Sequence, residues 1–157
     1  MLRFILGCSL ILLENFCFAE TINMNCVNDS EPAYVLEFIL NYDESIKPQE
    51  GDMGEYYYDR ISLESISGKV NNGFRDIITF GYDNITFSPL HKGLSFQILA
   101  KETIMSGELA GNSSIKSITV IENKEENQFL PKFSFAIQTF KNEFPDLGGK
   151  CFIRERV

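Results

Sequence analysis

Tryptophan is absent from the chain, and histidine occurs once, at His91. A single histidine next to Pro89 and Gly93 in a turn-like stretch is poorly placed to be a general base, and no serine sits in a Gly-x-Ser-x-Gly elbow. Serine- and cysteine-nucleophile hydrolases are therefore not expected. One histidine and two surviving thiols also fall short of a tetrahedral zinc set. Basic residues are scarce: 14 Lys+Arg stand against 22 Asp+Glu, a net charge of -8. Such a surface repels phosphate backbones and has no counterion-release drive toward nucleic acid. Anionic membrane surfaces are disfavoured for the same reason. No apolar run approaches the roughly 20 residues that a spanning helix needs, and no segment of ten residues carries a helical apolar period.

Several features are present. Met1-Leu2-Arg3 reads as a short positive region, Phe4 to Leu13 as an apolar one, and Cys17-Phe18-Ala19 as a small-residue cleavage site. Residues 1–19 are thus expected to be a cleaved secretory signal, with one β domain over 20–157. The Ile5-Leu6-Gly7-Cys8 run has the look of a lipobox, but too little apolar sequence precedes it. Removing residues 1–19 takes away one Arg and one Glu, so the charge is unchanged. Cys8 and Cys17 leave with the leader. Cys26 and Cys151 remain as an even pair in an oxidising compartment and are expected to form a disulfide. The location implied is secreted or periplasmic.

Alternation with period two runs through the rest. Ile22, Met24 and Cys26 share one face of a first strand. Tyr34, Leu36, Phe38, Leu40 and Tyr42 share one face of a second. A polar loop over 43–54 is followed by an expected strand from Glu55 to Leu63. Asn71-Asn72-Gly73 predicts a hairpin between Ile66–Val70 and Phe74–Phe80, because Asn and Gly tolerate positive φ. Ile78-Thr79-Phe80 and Ile85-Thr86-Phe87 flank Gly81-Tyr82-Asp83-Asn84 and read as a second hairpin. Leu94–Lys101, Thr103–Leu109, Ile115–Glu122, Lys132–Phe140 and Lys150–Val157 complete the set. Gly107 marks a bulge or close approach within its strand. Eight to ten short strands with turns between them predict an all-β fold, either an antiparallel barrel or a twisted sandwich. Its first and last strands would be joined by Cys26–Cys151.

Candidate functional residues are sparse. Tyr56-Tyr57-Tyr58 with Asp59 and Arg60 forms the best candidate binding surface, since at least one tyrosine ring on a strand must face away from the core. Glu37, within an otherwise apolar strand, and Asp59 are the carboxylates a hydrolase would use, but no spacing picks out a pair. The acidic loop from Asp43 to Glu55 lacks the oxygen-ligand spacing of a calcium loop. No catalytic residue, cofactor or metal site is assigned. Asn28, Asn84 and Asn112 each begin an Asn-x-Ser/Thr sequon, relevant only in a glycosylating host.

The layout combines an early strand carrying one cysteine, a Phe135-Ala136-Ile137 strand and a terminal Gly149-Lys150-Cys151. It resembles small secreted bacterial β-proteins of unassigned function, which implies an envelope location and a compact β fold. The first-to-last disulfide is also similar in layout to periplasmic inhibitors of C-type lysozyme. Those inhibitors' Ser-Gly recognition region has no match here beyond Ser106-Gly107, and no residues are carried over. The expected function is a small secreted or envelope binding or accessory module without catalytic activity. An inhibitor of a basic secreted enzyme is the alternative, and a carboxylate-based hydrolase ranks third. The expected partner is a protein or a small ligand, with neither nucleic acid nor a membrane span.

Overall fold

A computed structural model describes residues 19–28, 33–46, 49–51, 54–56, 59–71, 77–90, 93–124, 132–140 and 146–157. Ten strands follow in chain order: β1 (Glu20–Val27), β2 (Ala33–Tyr42), β3 (Gln49–Gly51), β4 (Gly54–Tyr56), β5 (Ile61–Asn71), β6 (Ile77–Pro89), β7 (Phe96–Ile104), β8 (Ser113–Glu122), β9 (Phe133–Thr139) and β10 (Leu147–Arg156). Eight of them close into an antiparallel barrel in the order β1-β10-β9-β8-β7-β6-β5-β2, while β3 and β4 pair as a separate small hairpin. Barrel and sandwich, both open from the sequence, are thereby resolved in favour of the barrel. Among the described residues no helix is long and apolar enough to cross a membrane.

The inward faces follow the alternation. Ile22, Met24 and Cys26 of β1 meet Leu36, Phe38 and Leu40 of β2 and Phe96, Ile98 and Ala100 of β7. Ile118 and Val120 of β8 and Phe133, Phe135 and Ile137 of β9 complete the core. Phe38 and Phe96 pack edge to face with centroids 5.3 Å apart, and both are essentially inaccessible to solvent. Eight strands leave an interior that side chains can fill, and these residues fill it. Burying each large apolar side chain contributes about 1.5–3 kcal/mol.

Cys26 lies directly opposite Cys151 across the β1–β10 ladder, and the two are bonded. The bond joins the first and last strands and spans 125 residues of sequence. Both cysteines are buried. A disulfide fits an oxidising, extracytoplasmic setting. Gly149, two residues earlier, must remain glycine. A Cβ there would lie 2.3 Å from the Val27 carbonyl oxygen and 2.7 Å from Phe135 Cε1. β10 therefore passes close against the end of β1 and the Phe135 ring.

Three strand expectations are corrected. The Ile78-Thr79-Phe80 and Ile85-Thr86-Phe87 arms are not antiparallel partners, since both belong to one 13-residue strand, β6. Ile78 and Thr79 pair with β5, and β7 pairs with β6 from Phe80 to Pro89. It matches Tyr82 to Glu102 and Asp83 to Lys101, then Thr86 to Leu99 and Phe87 to Ile98. The surplus is absorbed as a bulge at Asn84 and Ile85, where Asn84 takes a positive φ of 52°. The turn-like composition thus marks a bulge. Thr103–Leu109 is not a strand beyond Ile104. Gly107 and Gly111 take φ of 85° and 91°, and the Gly111 amide donates to the Ile104 carbonyl at 2.8 Å. The chain turns there into β8. The Glu55–Leu63 stretch is also divided: β4 ends at Tyr56, Asp59 and Arg60 form a turn, and β5 starts at Ile61. The strands on either side of Asn71-Asn72-Gly73 pair as expected, but Val70 lies opposite Ile78 and Asn71 itself pairs with Ile77, so Asn71 belongs to β5; residues 72–76 lie outside the described set. In β10 a bulge at Arg154 reverses the alternation, so Arg156 rather than Glu155 faces inward-pointing Ile22.

Reduction of Cys26–Cys151 is expected to weaken the fold by at most roughly 5 kcal/mol, the loop-closure value for so long a loop. Deletion of 151–157 removes the ladder to β1 as well. Urea titrations should show a lowered midpoint in the first case and loss of a cooperative transition in the second. A truncated chain that still unfolds cooperatively overturns the closing role of β10.

Gly149→Ala should cost about 1–3 kcal/mol, because backbone at Val27 must move. A lower denaturation midpoint at unchanged m-value is the expected result. A wild-type midpoint would show that the approach is slack.

Candidate functional site

One end of the barrel interior is polar. β6 and β7 bring Tyr82 directly opposite Glu102, and β2 contributes Tyr34. Glu102 continues the inward series Phe96, Ile98, Ala100 by one further step. The Glu102 carboxylate accepts hydrogen bonds from the Tyr34 hydroxyl at 2.7 Å and the Tyr82 hydroxyl at 2.9 Å. The two phenol oxygens lie 2.8 Å apart. Glu102 is buried, at 7% exposure. An unpaired carboxylate at that depth would be costly, and the two hydroxyls offset that cost. The Tyr34 ring also packs on Phe80, with centroids 5.3 Å apart. Gly68 of β5 makes room for Tyr82, since a Cβ there would lie 2.6 Å from the Tyr82 hydroxyl oxygen.

Burial pushes both phenols well above the ordinary tyrosine range, and the Glu102 charge adds to it. For Tyr82 the neighbouring Tyr34 is the second cause. Two neutral hydroxyls facing a carboxylate act as donors, so the cluster orients and seals this end of the barrel. The expected strand Leu94–Lys101 ends one residue short of Glu102. One more step of the same period places it inside.

The same end carries a second polar set. Lys116 Nζ donates to Thr139 Oγ1 at 2.7 Å and lies 3.6 Å from Asp146 Oδ2. The Thr139 amide donates to the same Asp146 oxygen at 2.6 Å, which ties the end of β9 to the start of β10. Asn28 is buried, and its side-chain amide donates to the Gly148 carbonyl. Among the three sequons, Asn28 is therefore engaged in the fold, while Asn84 and Asn112 are exposed.

Of the residues singled out from the sequence, Glu37, Asp59 and Arg60 take no part in this cluster. Tyr56 ends β4, and Tyr57 and Tyr58 lie outside the described residues. Asp59 is exposed in the turn before β5. Arg60 is half-buried, and its Nε donates to the Ile46 carbonyl while its own carbonyl accepts from the Asp43 amide at 2.8 Å. Arg60 thereby clamps the connection that leaves β2. In that connection the Ser45 hydroxyl and amide hold the Asp43 carboxyl below its usual range. Glu37 points outward and pairs with Lys69 at 2.9 Å in the open, where such a pair contributes little. His91 lies outside the described residues. Among the described residues no group of three His, Cys, Asp or Glu could hold a metal ion.

Shallow concavities mark the surface. One of about 250 Å³ is lined by Asn23, Asn25, Glu37, Ile39, Arg154 and Glu155. A second, of about 160 Å³, shares Glu37 and adds Val35, Ser67 and Lys69. A third, of about 380 Å³, lies beside the β9–β10 junction and is lined by Lys132, Phe133, Phe152, Ile153 and Arg156. Comparison with family models, with curated proteins and with solved structures finds no match for the chain.

The raised tyrosines set an alkaline limit. Their folded-state values lie above the unfolded value of about 10, so the stability tied to their neutral form is complete below about pH 10 and is lost as pH rises further. Each contributes a slope of about 1.4 kcal/mol per pH unit in that window. Replacing both, Tyr34→Phe with Tyr82→Phe, should flatten the fall in unfolding free energy above pH 10. Tyrosinate absorbance of the native chain should lack two phenols until unfolding. Full ionisation of all six tyrosines in a folded chain would contradict the burial argument.

Proposed function

We propose that the chain is a non-enzymatic binding module of the secreted or envelope compartment, acting on a basic protein partner through its outer surface. The observation that carries this is the filled interior. Phe38, Phe96, Met24, Ile98, Ile118 and Val120 are packed at the barrel centre with almost no exposure. Recognition then falls to the wall and the rims, where the chain's net charge of -8 favours a partner of opposite sign. The reading of residues 1–19 as a cleaved leader belongs with this proposal, and the buried disulfide supports it. So does the engagement of the two carboxylates, Glu37 in an exposed pair with Lys69 and Glu102 as acceptor from two phenols. An inhibitor of a basic secreted enzyme is one form of the same reading, suggested by the distant resemblance in layout to lysozyme inhibitors.

Titration calorimetry of residues 20–157 against basic and acidic secreted proteins, a C-type lysozyme among them, tests the proposal. Binding is expected within the basic set and should weaken as salt rises. Equal binding to acidic proteins, or uptake of a small apolar probe into the barrel, would overturn it.

A further inference from the structure

The barrel closes unevenly on one side. β5 has eleven residues and β6 thirteen, yet they pair only from Gly68–Asn71 to Ile77–Phe80. From Ser67 back to Ile61, β5 still pairs with β2. From Gly81 on to Pro89, β6 still pairs with β7. The two edges thus run on unpaired with each other. Among the described residues no other strand takes the place, since β3 and β4 pair only with each other.

Both edges carry a bulge: Glu64 in β5, and Asn84 with Ile85 in β6. Bulges and charges of this kind keep an open edge from pairing indiscriminately. The floor of the seam is apolar. Leu63, Ile66 and Phe87 are half-buried and pack on the core, and the Phe87 ring lies 5.3 Å from that of Phe96. The rims are polar, with exposed Ser62, Ser65, Ser67, Thr86 and Ser88. Exposed Glu64 and Asp83 lie on the two strands, Asp59 and Arg60 form the turn that leads into β5, and Lys101 stands opposite Asp83.

We infer that this seam, between Ile61–Ser67 of β5 and Asp83–Pro89 of β6, binds an extended segment of the partner protein as an added strand. The segment alternates apolar residues, set toward Leu63, Ile66 and Phe87, with lysine or arginine set toward the acidic rim. Two strand edges supply main-chain donors and acceptors, the form of recognition that an extended peptide completes. The excess of carboxylates selects a basic strand. It also disfavours a second copy of this chain, whose own charge is -8. This inference rests on the reading of a basic partner and assigns it a site.

The probe is a short synthetic peptide alternating valine and lysine, added to residues 20–157 with the disulfide intact. Two controls replace every lysine by glutamate or place a proline at mid-length. Amide hydrogen exchange should slow at Ser62–Ser67 and Thr86–Ser88 with the basic peptide. The glutamate and proline versions should bind roughly tenfold more weakly or worse. Glu64→Lys with Asp83→Lys should weaken the basic peptide while the β1–β10 amides keep their protection. Equal binding of the proline peptide, protection elsewhere, or chain dimerisation through the seam would overturn the inference. If basic proteins bind in calorimetry while the seam amides stay unprotected, the seam fails and the binding-module reading stands. If no basic protein binds, that reading fails as well.

Discussion

Closure of the barrel depends on the ladder between β1 and β10. An open eight-stranded sheet would expose two edges and half of its apolar face. Pairing Cys26 with Cys151 brings the chain's ends into one register, and every other inward face then meets a partner across the interior. The covalent bond lies inside that ladder, between residues that already oppose each other. It therefore acts mainly on the unfolded chain, by limiting how far the ends can separate. Gly149 shows the same constraint in steric form, since β10 reaches its register only where no side chain intervenes against Val27 and Phe135.

The two ends of the barrel are built differently. At the Cys151 end, β5–β6 and β9–β10 both pair, and the interior is sealed by Tyr34, Tyr82 and Glu102 and by the Lys116–Thr139–Asp146 set. Glu102 is satisfied at depth by the two phenols, which favours one arrangement over others of similar apolar burial. Toward the opposite end β5 and β6 separate, and bulges at Glu64, Asn84–Ile85 and Arg154 change strand direction. The tight end holds the structure together and the loose end offers surface. Binding surfaces are commonly drawn from the less constrained part of a fold.

Much of the fold was legible because a strand's alternation is local. Ile22-Met24-Cys26 and Leu36-Phe38-Leu40 could only bury one way. The misreading of Gly81-Tyr82-Asp83-Asn84 has a definite cause. Asn at positive φ serves a turn and a bulge equally, and only the length of β7 decides between them. The candidate site was less legible. Tyr34, Tyr82 and Glu102 are 48 and 20 residues apart in the chain and meet only after three strands are aligned. The tyrosines at 56–58 stand out by adjacency in the chain, and adjacency says little about convergence in space.

From the sequence alone follow the all-β class, the alternating core, the pairing of Cys26 with Cys151 and the acidic balance. Each depends on residue type, spacing of two, or simple counting. Tertiary structure decided that the sheet closes into a barrel, that its centre is filled, that Glu102 is buried beneath two phenols, and that β5 and β6 part after four residue pairs. Those outcomes depend on strand order, register and the position of bulges, which arise from packing between residues far apart in the chain.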